Sequence, residues 1–151
     1  MENEKNELMI SNINELGFAG TSKQKVFTTI TDGKVIFNLE STVDYKLNDC
    51  KGETIKVKDF LIKVIEKKME NPEVDEATGE IIKDKEYKRI TILIDEDGKS
   101  YVTASNFFTI QFIKAVQFIS PDVIKEEGLV IKIKDVPVKN SNNKALGFEL
   151  V

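Results

Sequence analysis

The chain has 151 residues and a formal net charge of −4 at pH 7, with one cysteine and no histidine. One cysteine excludes an internal disulfide and suits a reducing cytoplasm, and the lack of histidine excludes ordinary structural zinc sites and histidine-based triads. No apolar run approaches the roughly 18 residues of a membrane span, and the acidic N-terminus lacks the basic start of a signal peptide. We therefore expect a cytoplasmic protein without cofactor or membrane contact, in which binding is better supported than catalysis.

The charge is unevenly placed along the chain. Residues 1–20 carry a net charge of −3 and residues 69–86 a net charge of −5, so the rest of the chain carries +4. A bound phosphate responds to the local field rather than to the total charge. The overall acidity therefore does not exclude a nucleic-acid partner.

The N-terminal part reads as an acidic segment followed by a hairpin. Residues 1–20 have apolar spacings that suit a short helix, but disorder is an equal alternative. In "KVFTTITDGKVIFNLE", two runs rich in β-branched residues flank Asp32-Gly33, a pair typical of hairpin turns. This pattern predicts strands over 25–30 and 34–40.

The centre of the chain predicts a long strand, a loop and a second strand. "ETIKVKDFLIKVIEKK", residues 53–68, alternates apolar and polar positions and forms the long strand. Residues 69–86 contain Asn71-Pro72 and Thr78-Gly79, which predict a long acidic loop. "YKRITILID", residues 87–95, alternates again and forms the second strand.

The acidic run Asp95-Glu96-Asp97-Gly98 raises the question of a calcium loop. If Gly98 holds the sixth position of such a loop, the first ligand falls on Leu93 and the twelfth on Ala104. Neither side chain binds calcium. The run is therefore interpreted as a hairpin turn leading into a short strand, "KSYVTA", and no metal site is expected.

The C-terminal third predicts one helix and two strands. Ser105 is a candidate N-cap for the helix "NFFTIQFIKAVQFI", residues 106–119, which Ser120-Pro121 should end. Strands "GLVIKIKDVPV" and "ALGFELV" follow, joined by the turn "NSNNK".

From residue 53 this order is that of the OB-fold, a five-stranded barrel with one helix between strands three and four. We therefore expect a mainly β protein in which residues 21–151 form a single OB-like domain, with the hairpin 25–40 as an N-terminal extension. Another small β-rich domain with one helix is the alternative.

An OB barrel binds its ligand across the second and third strands and the loops beside them, by base stacking and by phosphate contacts. The candidate nucleic-acid-binding residues at those places are Lys63, Lys67, Lys68, Tyr87, Lys88, Arg89, Tyr101, Lys139 and Lys144. The lysines of the long strand also fit a solvated strand edge, and Tyr101 also fits the core. The loop 69–86 is either a solvated connection or a flap whose acids compete with phosphate for the basic surface.

Three stretches, "TIKVKDFLIKVIEKK", "YKRITILIDEDGKSYVTAS" and "VIKIKDVPVKNSNNKALGFEL", resemble the small single-stranded DNA-binding proteins of bacteriophages and related mobile elements. The resemblance covers residues 53–151 and is one of style. It implies an OB barrel that coats single strands during DNA replication or recombination in a bacterial or infected host cell. Two features depart from that family: the chain has no acidic C-terminal tail and no tryptophan.

These observations predict a sequence-tolerant single-stranded DNA-binding protein that contacts replication or recombination proteins. Because the body carries only about +4, few phosphates are neutralised per monomer, and tight binding needs homo-oligomers or cooperative arrays. Two alternatives from other classes are an acidic interaction or inhibitor module that binds a host protein, and a structural subunit of a virion.

Overall fold

The computed structural model describes residues 22–139 and 142–151. The predicted acidic segment 1–20 lies outside the described residues. Within them the chain forms β1 (Ser22–Thr28), α1 (Gly33–Leu39), β2 (Tyr45–Lys46), a 3-10 turn (Leu47–Cys50), β3 (Thr54–Val74), β4 (Ile81–Asp95), β5 (Ser100–Thr103), α2 (Asn106–Phe118), α3 (Pro121–Glu127), β6 (Leu129–Pro137) and β7 (Lys144–Leu150).

The strands form one open mixed sheet in the order β2-β5-β4-β3-β6-β7, and β1 also pairs with β3. The β2–β5 pair is parallel, with Tyr45 beside Tyr101. The pairs β4–β5, β3–β6 and β6–β7 are antiparallel. The fold is therefore mixed α/β, with three helices added to the sheet.

The expected OB barrel is wrong, because the sheet does not close. One edge of β5 is occupied by β4 and the other by β2, where Asp44 accepts hydrogen bonds from the backbone and hydroxyl of Ser100. No edge of β5 is left for the last strand. Apart from the added helix α3, the order of elements from residue 54 follows the expectation, but the edge of β5 that would close a barrel is paired with the two-residue strand β2.

The outer edge of β7 is covered by a side chain of α2. The Gln111 amide donates to the carbonyl of Phe148 at 2.7 Å, and its oxygen accepts from the Phe148 backbone N–H at 3.2 Å. A Cβ atom at Gly147 would lie 2.7 Å from the same amide oxygen, so glycine there lets the helix approach. The helix thus satisfies backbone groups that a neighbouring strand would otherwise bind.

The predicted N-terminal hairpin is also wrong. Its first strand exists as β1, but residues 33–39 form α1 instead of a second strand. The side chain of Asp32 accepts a hydrogen bond from the Lys34 backbone at 2.9 Å, so the Asp-Gly pair begins a helix rather than a turn. The strand-forming residues that follow do not override this cap.

The acidic segment 69–86 is mostly strand, where a loop was expected. β3 continues to Val74 and β4 already begins at Ile81, so only residues 75–80 connect them. The long strand is therefore 21 residues in length, longer than its predicted span of 53–68. Pro72 lies within it.

The predicted helix 106–119 is confirmed as α2, and Ser105 caps it by accepting a hydrogen bond from Phe108 N. Its buried phenylalanines meet Phe60 of β3 and Phe148 of β7, with ring centroids 5.0–6.0 Å apart. The predicted stop at Ser120-Pro121 ends α2, but Ser120 also caps the short helix α3, which the sequence did not predict.

The described residues divide into two compact units. One consists of 22–26 and 63–88, and the other of 27–62 and 89–151 without 140–141. The phenylalanine cluster and all three helices belong to the second unit.

In the described part of the chain, no single helix is long and apolar enough to cross a membrane. Helices α2 and α3 pass that test only as a pair, and they meet at a bend of 89°.

Replacing Gln111 by Ala should lower the free energy of unfolding by about 1–3 kcal/mol, because the Phe148 N–H and C=O lose their partner at a half-buried position. Urea titration followed by circular dichroism measures the loss. The exposed Gln117 of the same helix provides the control, and Gln117→Ala should change stability by less than about 0.5 kcal/mol. Equal effects of the two substitutions would contradict the role given to Gln111.

Candidate nucleic-acid interface

The first unit contains a two-stranded arm, residues 63–88, made by the end of β3 and the start of β4. A six-residue turn, 75–80, joins the strands. Asp75 N donates to the carbonyl of Glu80 at 2.8 Å, and the Asp75 carboxylate accepts from Ala77 N at the same distance. Gly79 has a φ of +72°, which closes the turn without strain.

The arm is electrically polarised along its length. Its base, residues 63–68 with 87–88, holds four lysines against Glu66, a net charge of +3. Its tip, residues 69–86, holds seven acids against Lys83 and Lys85, a net charge of −5. Five of the nine predicted site residues lie in the base: Lys63, Lys67, Lys68, Tyr87 and Lys88.

One ion pair shows how the side chains of the base are distributed between two faces. Lys85 of β4 binds Glu66 of β3 at 2.9 Å, so these two residues share a face, and Glu66 raises the pKa of Lys85. Since side chains alternate along a strand, Tyr87 and Lys68 lie on that face too. Lys67 and Lys88 lie on the opposite face.

The base presents three of its four lysines and its aromatic ring to solvent. Lys67, Lys68 and Lys88 are exposed, and Tyr87 is 46 % exposed. Within the described ranges these three lysines form no ion pair. Lys67, Lys68, Lys88 and Tyr87 are thus exposed on two neighbouring strands, whereas Lys63 is half-buried.

The other four predicted residues, Arg89, Tyr101, Lys139 and Lys144, belong to the second unit. Arg89 is half-buried, whereas Lys139 and Lys144 are exposed on either side of the β6–β7 turn. The single surface expected from an OB barrel does not follow from this fold, because the barrel is absent.

Tyr101 packs against a second tyrosine. Its ring stacks on Tyr45 at a centroid distance of 5.3 Å, and its hydroxyl donates to the Asp95 carboxylate at 2.8 Å. Burial, and then this hydrogen bond, raise the pKa of Tyr101. Of the two interpretations of Tyr101, the structure supports a packed residue over an open stacking platform.

The acidic run after β4 is a hairpin turn, as predicted. The Asp95 carboxylate accepts hydrogen bonds from Asp97 N and Lys99 N at 2.9 Å, and Gly98 has a φ of +82°. The carboxylate also accepts the Tyr101 hydroxyl. The Asp95 carboxylate thus organises the β4–β5 connection by binding two backbone N–H groups of the turn and the hydroxyl of Tyr101.

Sequence reasoning missed a cavity of about 800 Å³ in the second unit, between β5 and the 3-10 turn. Tyr45 and Tyr101 line it together with four carboxylates and two lysines: Glu40, Asp44, Asp49, Glu53, Lys46 and Lys99. Cys50 also borders it, and burial raises the pKa of its thiol to about 11, so the thiol stays protonated at neutral pH. Tyr45 gave no signal because the β2–β5 pairing that places it beside Tyr101 joins segments distant in sequence.

The excess of acids makes this cavity a poor site for phosphate. Asp44 is bound to Ser100, and the lining as a whole carries two more negative than positive groups. Like charges disfavour a polyanion there. The arm base is therefore the better candidate for nucleic acid.

Searches against family models, curated proteins and solved structures found no match to this chain.

Replacing Tyr101 by Phe should lower stability at pH 7 by about 1 kcal/mol, because the bond to Asp95 is lost. Since the pKa of Tyr101 is raised in the fold, its stabilising contribution is present below pH 10 and declines as the pH rises further. The variant should therefore lose less stability than wild type between about pH 9.5 and 11. Urea titrations across this range measure both effects.

Tyr45→Phe is the matched control, because it keeps the Tyr101–Asp95 bond. Its alkaline decline should parallel that of wild type. An unchanged decline in Tyr101→Phe would show that the hydroxyl of Tyr101 is not the group that destabilises the fold at high pH.

Proposed function

We propose that the protein binds single-stranded DNA without sequence preference through the arm base, and acts in the replication or recombination of a bacteriophage or related mobile element. The observation that carries the proposal is the exposed Tyr87 beside exposed lysines on two adjacent strands with a net charge of +3. The choice of ligand follows the sequence resemblance of residues 53–151 to phage single-stranded DNA-binding proteins, although the OB barrel which that resemblance implied is absent.

The chemistry of this surface suits a single strand. A base stacks on the open face of a tyrosine for about 1–3 kcal/mol, and the stacking tolerates any sequence. Lysines on both faces of the arm attract the backbone phosphates through charge rather than through base edges. An isolated duplex keeps its bases stacked on one another, so Tyr87 contributes nothing to its binding.

The acidic tip argues against insertion of the arm into a duplex groove. Two-stranded β-ribbons enter the major groove, but their leading end then lies among phosphates. A tip with a net charge of −5 is repelled there. The arm is thus suited to a strand that crosses its base.

The direct test is fluorescence anisotropy with a labelled oligo-dT of about 30 nucleotides, at about 50 and 200 mM salt, with the matching duplex as control. We expect tighter binding to the single strand and weaker binding at the higher salt. Equal affinity for strand and duplex, or no binding at the lower salt, would contradict the proposed function.

The triple variant Lys67→Gln, Lys68→Gln, Lys88→Gln should weaken binding about tenfold or more at low salt and reduce the slope of log K against log salt by up to about 2. The reason is that three phosphate contacts are lost. The control, Lys34→Gln, Lys114→Gln, Lys132→Gln, removes three exposed lysines of the second unit and the same charge. It should keep at least about half of the wild-type affinity.

Tyr87→Ala should weaken binding by about 1–3 kcal/mol with little change in the salt slope, because it removes stacking and not charge. Tyr87→Phe keeps the ring and should bind like wild type. If Tyr87→Phe were as weak as Tyr87→Ala, the hydroxyl rather than the ring would be the contact, and stacking on Tyr87 would be excluded.

A further inference from the structure

The arm tip combines unneutralised acids with exposed apolar side chains. Val74, Ile81 and Ile82 are 51 %, 63 % and 66 % exposed. Of the two lysines in the tip, Lys85 is bound to Glu66 of the base. Apart from Asp75, which holds the turn, and Asp84, whose charge acts on Lys85, the acids of the tip form no ion pair within the described residues: Glu70, Glu73, Glu76, Glu80 and Glu86. Such a surface is complementary to a partner that is basic and partly apolar.

The acids at the far end of the tip cannot serve their own base. They lie on continuous strands, or on the turn between them, that lead away from the base, and Glu73 is about 17 Å from Lys68 at 3.3 Å per residue. A flexible acidic flap, one of the two interpretations of the sequence, would fold back over the lysines. Extended, hydrogen-bonded strands do not.

We propose that the tip of one copy lies against the arm base of a second copy. The base offers what the tip lacks: a net charge of +3, and the half-exposed ring of Tyr87 for the three apolar side chains. In an antiparallel pair of arms each tip meets the other base, so a twofold dimer makes the contact twice. The polarised arm is thus complementary to itself.

The dimer has a consequence for the DNA site, and this part rests on the proposed function. The acids of the partner's tip occupy the lysines that contact phosphate, so single-stranded DNA and the second copy compete for one surface. Binding of a strand then releases the dimer. A polyanion that binds by charge alone displaces the partner's tip from the arm base less well than a strand that also stacks on Tyr87.

The pairing is tested by sedimentation velocity of the full chain, without DNA, at about 50 and 500 mM salt. Wild type should sediment as a dimer at the lower salt and dissociate at the higher. The tip variant Glu70→Lys, Glu73→Lys, Glu76→Lys and the base variant Lys67→Glu, Lys68→Glu, Lys88→Glu should each be monomeric at both. All six positions are exposed strand or turn residues, so neither variant disturbs the core.

Mixing the two variants is the decisive step. The tip of the base variant and the base of the tip variant keep their natural charges, and the two reversed surfaces are again opposite in sign. An equimolar mixture should therefore sediment as a heterodimer. A monomeric wild type, a dimer that survives either charge reversal, or a mixture that stays monomeric would overturn the pairing.

Adding oligo-dT to the wild-type dimer separates the two proposals. Conversion to a DNA-bound monomer supports both the pairing and the competition. A dimer that ignores the oligonucleotide while it passes the mixing test keeps the pairing and contradicts the proposed function. A dimer that binds the strand without dissociating overturns the competition.

Discussion

The length of β3 is the constraint on which the rest of the structure depends. It has 21 residues, and three strands pair with it: β1, β4 and β6. The first part of β3 supplies buried side chains such as Val57 and Phe60 to the second unit. The remainder has β4 as its partner and forms the arm.

The openness of the sheet has an equally local cause. Backbone groups at a sheet edge must be paired, covered or exposed to water. β5 is paired by β2 and β7 is covered by the amide of Gln111, so neither strand requires the other. Two short contacts therefore decide between an open sheet and a barrel, and they shift the candidate interface from a barrel face to the arm.

Local signals predicted β3, β4 and α2, whereas ambiguous local signals and long-range pairing explain the errors. Alternation identified β3 and β4, and the N-cap at Ser105 identified α2, because each signal lies within the element that it describes. The Asp32-Gly33 pair misled because Asp-Gly serves both hairpin turns and helix starts, and only the hydrogen bond to Lys34 N distinguishes them. Pro72 suggested a loop in a segment that is strand in the structure. The partners of β5 and β7 are set by residues about 40 to 60 positions away, such as Asp44 with Ser100.

For the candidate interface, the sequence identified the basic and aromatic residues of the arm base but placed them on the wrong framework. Lys67, Lys68, Tyr87 and Lys88 are exposed as expected, whereas Tyr101 is held by Tyr45 and Asp95. The separation of acidic and basic residues along the arm was visible in the sequence as a charge pattern. Only the structure shows that continuous strands hold most of the acids away from the lysines.

Hydrogen exchange measured by mass spectrometry, with and without a saturating oligo-dT, tests the central claim that the arm base is the nucleic-acid surface. The account predicts slower exchange in peptides that cover 63–68 and 87–88, with little change in β6 and β7. Slowing confined to the β6–β7 region, with the arm unchanged while the strand is bound, would contradict it.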